Sequence, residues 1–221
     1  MGSIRRWAVP LCGGWLTLAA LTAAGEEFAF CNGRGMIEAL SYEGDLLDVG
    51  MDVRVALPGW RSFGGVSPWS TKDFRLTERD GRKEWVGRIV VEADRTCLCT
   101  IVLTSTNDAA HVDVSVTAET TFDLEGVYFY FRVPVNVFSN GHVRVLDRGG
   151  VVEEALLPAS LLPNFRLLSA PARSAVLTEP NGNRAVELVF DSPTVLAVQD
   201  DRQWKDPMYS VYARFHAGHL R

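Results

Sequence analysis

Apolar and polar residues alternate most regularly over residues 125–138, whose sequence is Glu-Gly-Val-Tyr-Phe-Tyr-Phe-Arg-Val-Pro-Val-Asn-Val-Phe. Every odd position from Val127 to Val137 is a valine or a phenylalanine, and this period of two predicts a β-strand with one face on the core. The opposite face carries four side chains that form hydrogen bonds, Tyr128, Tyr130, Arg132 and Asn136, together with Pro134 and Phe138. That face is either a platform for a ligand or a surface that another part of the protein covers.

Shorter apolar runs, each followed by a turn signal, recur along the rest of the chain. Residues 49–57 alternate in the same way and end at Pro58-Gly59, which predicts a half-buried strand and a turn. Asp80-Gly81 is a strong signal for a two-residue hairpin turn. In total we expect about a dozen short strands and no long helix.

This pattern predicts an all-β fold, an antiparallel two-sheet β-sandwich of supersandwich or jelly-roll-like type with little helix. A closed barrel is the alternative. Helical character is expected between residues 153 and 171, where Pro158 and Pro163 limit it to about one turn. Near the end of the chain, residues 184–190 and 195–199 are predicted as two separate strands.

Residues 60–73 form the least regular segment, which is rich in glycine and proline and contains Trp60, Phe63 and Trp69. Three exposed aromatic rings so close together would be unfavourable in water. We therefore expect them either to pack back onto the sandwich or to be held out for a ligand.

The first 25 residues have a different character. Two arginines precede an apolar run over residues 7–24, and small residues separate this run from an acidic pair. A positive head, an apolar middle and a small-residue exit predict a secretory signal peptide over residues 1–25, cleaved after Ala24 or Gly25. A retained membrane anchor is the alternative. Cleavage would leave one β-sandwich domain over residues 26–221, secreted or periplasmic and without a membrane partner.

The balance of charge limits the classes of partner. The chain has 221 residues, with 22 Lys and Arg against 27 Asp and Glu and a formal net charge of −5. Loss of the leader would remove two arginines and no acidic residue, which moves this charge to −7. An acidic exported domain without a basic cluster is not built to bind a phosphate backbone, so we expect no nucleic-acid partner.

Three cysteines lie in the expected mature chain, Cys31, Cys97 and Cys99. Cys97 and Cys99 are two residues apart on a predicted strand, so their Cα atoms are roughly 6.5–7 Å apart, at the limit of a disulfide. In an oxidising compartment Cys31 could pair with Cys97 or with Cys99. The alternative is that all three are small buried apolar residues. No histidine lies at ligand spacing from them, which disfavours zinc.

Catalytic sequence motifs are missing from the chain. It contains no Gly-x-Ser-x-Gly, no phosphate-binding glycine loop, no His-Glu-x-x-His and no Cys-x-x-Cys. Neighbouring carboxylates occur in pairs, but adjacent residues on a strand point to opposite faces and cannot converge on one bond. We therefore expect no catalytic residue in this chain alone. A sugar-active enzyme with its acid and base on separate strands is the alternative.

Residues 199–207, Gln-Asp-Asp-Arg-Gln-Trp-Lys-Asp-Pro, combine planar polar groups with one indole. Such a set suits sugar recognition, because an indole stacks on a pyranose face while carboxylate, guanidinium and amide groups bind hydroxyls. The candidate carbohydrate contacts are therefore Asp200, Asp201, Arg202 and Trp204, together with Tyr128, Tyr130, Arg132 and Asn136. The alternative is a charged loop in which Trp204 caps the sandwich. Asp200, Asp201 and Asp206 could also hold a structural calcium ion.

The sequences Glu-Gly-Val-Tyr-Phe-Tyr-Phe-Arg-Val-Pro and Asp-Asp-Arg-x-Trp resemble the non-catalytic β-sandwich domains of bacterial secreted multidomain glycoside hydrolases. The chain is also similar to sandwiches of the galactose-mutarotase-like type. The resemblance implies a large β-sandwich over most of the chain after Glu26 and a function associated with carbohydrate. It carries no catalytic residue over to a position in this sequence.

These features predict a secreted carbohydrate-associated β-sandwich, either glycan-binding or an accessory domain of a polysaccharide-degrading enzyme. The expected partner is a polysaccharide or oligosaccharide. Arg221 directly follows a predicted strand, which indicates either a naturally tight ending or the first domain of a longer protein, and in the second case a downstream catalytic domain is a further expected partner. A structural or protein-interaction domain of the cell envelope, without a small ligand, is the alternative. No cofactor is expected beyond the calcium ion.

Overall fold

Antiparallel β-strands make up most of the described chain, which comprises residues 15–19, 29–31, 36–42, 45–106 and 109–220 of a computed structural model. In chain order, the strands are β1 (Trp15–Ala19), β2 (Ala29–Cys31), β3 (Ile37–Tyr42), β4 (Asp45–Asp48), β5 (Gly50–Ala56), β6 (Phe63–Gly65), β7 (Thr71–Arg79), β8 (Arg82–Glu92), β9 (Arg95–Ser105), β10 (Ala109–Ala118), β11 (Phe122–Pro134), β12 (His142–Asp147), β13 (Gly150–Leu156), β14 (Arg166–Thr178), β15 (Ala185–Asp200) and β16 (Met208–Leu220). Two 3₁₀ turns, Pro58–Trp60 and Asp201–Trp204, and one short helix, α1 (Val135–Phe138), complete the described elements.

The strands form a sandwich in which the long strands β14 and β15 run through two sheets. The first sheet follows the order β6-β5-β11-β16-β15, and the second follows β15-β1-β10-β9-β8-β7. β15 pairs with β16 through residues 195–200 and with β1 through residues 188–190, so its two halves belong to different sheets. β12 and β13 extend the second sheet from the C-terminal half of β14. The predicted all-β antiparallel sandwich is confirmed, and it does not close into a barrel.

Buried apolar side chains from both sheets fill the space between them. On β11, the alternating residues Val127, Phe129, Phe131 and Val133 are all buried, as the sequence pattern predicts. The second sheet contributes a matching set of buried side chains, Trp85, Ile89, Ile101, Val112 and Leu188. Each large apolar side chain that is fully buried contributes about 1.5–3 kcal/mol. A slip of one residue would turn these side chains outward, so the core sets the register of the strands.

The strand predicted over residues 125–138 is wrong at its C-terminal end. β11 ends at Pro134, and the next four residues form the single turn of α1. Proline has no backbone N–H to continue a ladder, so it is a natural end for a strand. The N–H of Val135 instead donates to the carbonyl of Pro207 at 3.0 Å. Asn136 lies exposed on this turn and does not continue the tyrosine row.

Two other sequence predictions differ from the structure. The stretch expected to be helical begins in strand β13, and residues 153–171 contain no helix. The strands predicted over residues 184–190 and 195–199 are one strand, β15, which begins at Ala185. Pro193 interrupts the apolar pattern, yet it lies where the pairing of β14 with β15 is irregular. A proline is tolerated at such an irregularity because no ladder N–H is needed there.

β1 lies inside the segment predicted as a signal peptide. Its residues 15–19 pair antiparallel with residues 109–113 of β10, and residues 16–18 pair with residues 188–190 of β15. The rest of the predicted leader and Arg221 lie outside the described residues, and cleavage stays a prediction. None of the described helices is long and apolar enough to cross a membrane.

Candidate functional site

The side of the first sheet that is turned away from the core carries the tyrosine row. Antiparallel register places Tyr130 between Asp52 of β5 and Tyr212 of β16. We call this surface the polar face, and its members are Asp52, Arg54, Tyr128, Tyr130, Arg132, Ser210, Tyr212 and Arg214. They share one side of the sheet because residues that are paired across neighbouring strands point the same way.

Tyr130 lies at the centre of the polar face and contacts its neighbours on both sides. Its ring meets the Tyr212 ring edge to face, with 4.2 Å between centroids. The Arg54 guanidinium lies 4.1 Å from the Tyr130 centroid, a cation–π distance. Asp52 holds that guanidinium by accepting a 2.8 Å hydrogen bond from Arg54 Nε. Tyr130 is accordingly only 4% exposed, and half-buried Arg54 and Tyr212 present the accessible groups.

Burial determines the protonation of these phenols. It raises the pKa of Tyr130 to about 12, although the charge of Arg54 opposes the shift. Burial, reinforced by Tyr130, raises the pKa of Tyr212 further. Both hydroxyls therefore stay neutral at physiological pH, where they donate and accept hydrogen bonds. This arrangement suits ligand binding and supplies no phenolate base.

Tyr128 is covered by Trp60, one of the three aromatic residues of segment 60–73, which was not among the candidate carbohydrate contacts. The two ring centroids are 4.8 Å apart at an interplanar angle of 35°. Tyr128 is 8% exposed, whereas Trp60 is 38% exposed. Trp60 has a φ of 56°, in the left-handed region that bulky residues rarely adopt and that costs about 1–3 kcal/mol. The sequence feature that could have identified Trp60 is the Pro58-Gly59 turn immediately before this aromatic residue.

Asp200 and Arg202, both predicted as carbohydrate contacts, form an ion pair in which Asp200 is fully buried and Arg202 is half-buried. Fully buried Asp200 accepts hydrogen bonds from Arg202 Nε at 2.9 Å and from Arg202 Nη2 at 2.5 Å. The same guanidinium donates to the carbonyl oxygens of Pro158 and Ala159, at 2.7 and 2.6 Å. The pair thus ties the turn Asp201–Trp204 to the loop after β13, and its hydrogen-bonding groups already have protein partners.

Asp201 and Asp206 connect this segment to the polar face. Buried Asp201 accepts hydrogen bonds from Gln199 Nε2, at 2.7 Å, and from Ser210 Oγ. Burial raises the pKa of Asp201 above its usual value, and these two donors partly offset the shift. Asp206 pairs with Arg132 at 2.6 Å. The two regions that the sequence selected therefore meet at one end of the polar face.

The three aspartates predicted as calcium ligands each have a separate partner in the protein. Asp200 pairs with Arg202 and Asp206 with Arg132, while Asp201 accepts from neutral donors. In the described ranges, no group of three His, Cys, Asp or Glu side chains could hold a metal ion. The calcium hypothesis therefore gains no support from the geometry.

Trp204 remains accessible beside these buried groups. It is 54% exposed, and its ring meets Phe165 edge to face at 5.0 Å between centroids. This contact orients the indole and leaves more than half of its surface in water. Trp204 is therefore available to stack on a ligand, unlike Asp200 and Arg202.

Cys97 and Cys99 are buried free thiols on β9, so the predicted disulfide from Cys31 to either of them is not formed. Strand pairing places them opposite Ile89 and Gly87 of β8. Cys31 lies on β2, in the separate sheet β2-β3-β4. Cys97 and Cys99 are therefore small buried residues of the core, as the alternative interpretation states.

We expect Cys97 and Cys99 to be unreactive in the native protein. Burial raises the pKa of Cys97 to about 12 and that of Cys99 further, so at pH 8 roughly one Cys97 in ten thousand is a thiolate. In a Cys12→Ser, Cys31→Ser background, a thiol-reactive chromophore should label two thiols after denaturation without reductant, and almost none before it. Fast native labelling, or no labelling after denaturation, would contradict this prediction.

An antiparallel β-sandwich with an aromatic, hydrogen-bonding outer face is the class of protein that these observations define. Comparison with known proteins adds no family, since no protein-family model and no curated protein matches the chain. The case for a function therefore depends on the geometry of the described residues.

Proposed function

We propose that this chain is a carbohydrate-associated β-sandwich whose polar face binds a polysaccharide or an oligosaccharide. In the organisation that the sequence predicts, the domain is secreted and serves as an accessory domain of a polysaccharide-degrading enzyme. The observation that carries the proposal is the composition of the polar face, where tyrosine and arginine side chains lie side by side on three neighbouring strands.

The chemistry of a sugar polymer matches this surface. A sugar ring offers an apolar C–H face to an aromatic ring and hydroxyl pairs to a planar guanidinium. Asp52 and Asp206 hold two of the arginines in place, at 2.8 Å from Arg54 Nε and 2.6 Å from Arg132 Nη1. Groups that are already ordered lose little conformational entropy when a ligand binds. Because these carboxylates are paired with arginine, the arrangement favours binding over acid–base catalysis.

A panel of soluble polysaccharides tests the proposal. The protein is run in native gels that contain xylan, galactan, mannan, mixed-linkage glucan or polygalacturonate, and we expect at least one of them to retard it. Half-buried Arg214 lies opposite Tyr128 on the polar face. Arg214→Ala should weaken binding about tenfold, the loss expected for one charge-assisted hydrogen bond.

Arg88→Ala is the matched control for this experiment. Arg88 lies on β8 in the second sheet, where it pairs with Asp73 and Glu119 on the surface. Its replacement should leave retardation unchanged. If no polysaccharide retards the wild-type protein, the proposal is wrong and the protein-interaction alternative is favoured. Exposed Val151 and Val152 on β13 would then be available to a protein partner.

A further inference from the structure

We propose that Trp60, with Phe63 and Arg54 beside it, forms a stacking subsite for one pyranose ring at the edge of the polar face. This inference rests on the proposed function and says which surface contacts the sugar. It selects an indole that is not among the candidate carbohydrate contacts but lies in residues 60–73, whose rings were expected either to pack onto the sandwich or to be held out for a ligand.

Specific hydrogen bonds hold the backbone of Trp60 in its unusual conformation. Gly59 and Trp60 both lie in the left-handed region, with φ values of 68° and 56°. The Trp60 N–H donates to the Leu57 carbonyl at 2.9 Å, and the Gly59 N–H donates to Glu125 Oε2 at 3.0 Å. Leu57 is fully buried and anchors the turn in the core. Strain of this kind persists where the surroundings enforce it, and it concentrates at binding and catalytic sites.

The indole of Trp60 has one covered side and one accessible side. Tyr128 covers the inner side at 4.8 Å between centroids, so the exposed third of Trp60 belongs to its outer side and edge. Phe63 is 52% exposed and meets the indole at 64°, with 6.1 Å between centroids. The two rings therefore form a shallow apolar corner that is open to solvent.

Binding of a pyranose ring explains this exposed corner better than side-chain packing alone does. The C–H face of the sugar would cover the outer side of the indole and release water from it. The Arg54 guanidinium lies 5.5 Å from the Phe63 centroid and is fixed by Asp52, so its planar donors can reach hydroxyls at the ring edge. Packing alone does not require Trp60, because the turn is already anchored by Leu57.

Trp60→Gly separates binding from stability. Glycine adopts a positive φ without strain, and this gain offsets the lost ring contact with Tyr128, so the Tm of this variant should stay close to that of the wild-type protein. At the same time it removes the indole, and binding to the polysaccharide that retards the wild-type protein should weaken at least about tenfold, as for a central aromatic contact. Trp69→Ala is the matched control, because Trp69 is 90% exposed in the same segment. That variant should change the affinity less than about twofold.

The possible results distinguish this inference from the proposed function. Wild-type affinity in Trp60→Gly, with a lower Tm, would show that Trp60 is a packing residue and would overturn the subsite alone. Loss of binding in Trp204→Ala but not in Trp60→Gly would place the sugar at the Trp204 indole, which also overturns only the subsite. If the wild-type protein binds none of the polysaccharides in the panel, both the subsite and the proposed function are wrong.

Discussion

Replacement of Arg202 by alanine is expected to lower the free energy of unfolding by about 3–5 kcal/mol. Arg202 is the charge partner of fully buried Asp200 and also donates to the carbonyl oxygens of Pro158 and Ala159. Its removal leaves a buried carboxylate without a positive charge nearby, and this desolvated state is costly. Denaturant unfolding followed by circular dichroism measures the change.

Arg88→Ala is the matched control, because Arg88 makes two ion pairs of similar length. Its guanidinium lies 2.9 Å from Asp73 and 2.6 Å from Glu119, yet these groups are on the surface, where water screens the attraction. We expect little change in stability there. Arg202→Lys should fall between the two, since lysine keeps the charge but loses the planar fork. Equal losses of unfolding free energy in Arg88→Ala and Arg202→Ala would contradict the inference that burial of Asp200 makes its pair with Arg202 stronger than the surface pairs of Arg88.

Gly141→Ala should be similarly severe, with a loss of about 3 kcal/mol or more. A Cβ at Gly141 would overlap the carbonyl oxygen of Thr178 and would lie 2.9 Å from that of Phe138. Both are backbone atoms, so neither can rotate away as a side chain could. The Gly141 N–H donates to the Phe138 carbonyl, and the Gly141 carbonyl accepts from the Leu157 N–H, each at 2.9 Å. A shift of the backbone would therefore break other hydrogen bonds.

The same substitution at Gly149 is the control, with the opposite expected sign. A Cβ at Gly149 meets no heavy atom within 4 Å. Alanine there reduces the freedom of the unfolded chain, so stability should stay unchanged or rise by about 0.4–1 kcal/mol. Thermal unfolding of the two variants side by side checks this difference. A stable Gly141→Ala protein would show that the approach of Gly141 to Thr178 is looser than described.

The strands and the core were largely predictable from the sequence. In residues 49–57 and 125–134 the side of the sheet on which a residue lies follows from alternation, because successive side chains of a strand point to opposite faces. The hairpin of β7 and β8 was equally clear, since Asp80-Gly81 separates two strand patterns and the structure pairs them as expected. Errors arose at Pro134 and Pro193, where the effect of a proline depends on whether the neighbouring strand needs its N–H.

The candidate site was predictable only in part. The sequence selected Tyr128, Tyr130 and Trp204 together with Asp200 and Arg202, but of the three aromatic residues only Trp204 is exposed, and Asp200 and Arg202 pair with each other. Local composition shows which groups can bind a sugar and does not show which of them already have a partner. The sequence left open whether Trp60 packs on the sandwich or faces a ligand, because its contact with Tyr128 joins residues that are distant along the chain.

The sequence by itself thus determined the class of this protein, an antiparallel β-sandwich with one aromatic, hydrogen-bonding face, because alternation and turn signals are local properties. The tertiary structure alone decided which side chains of that face are accessible, that Asp200 and Arg202 stabilise a loop, and that Gly141 tolerates no Cβ while Gly149 does. The physical reason is that accessibility, ion pairing and steric overlap depend on contacts between strands that are far apart in the chain, and no local pattern encodes those distances.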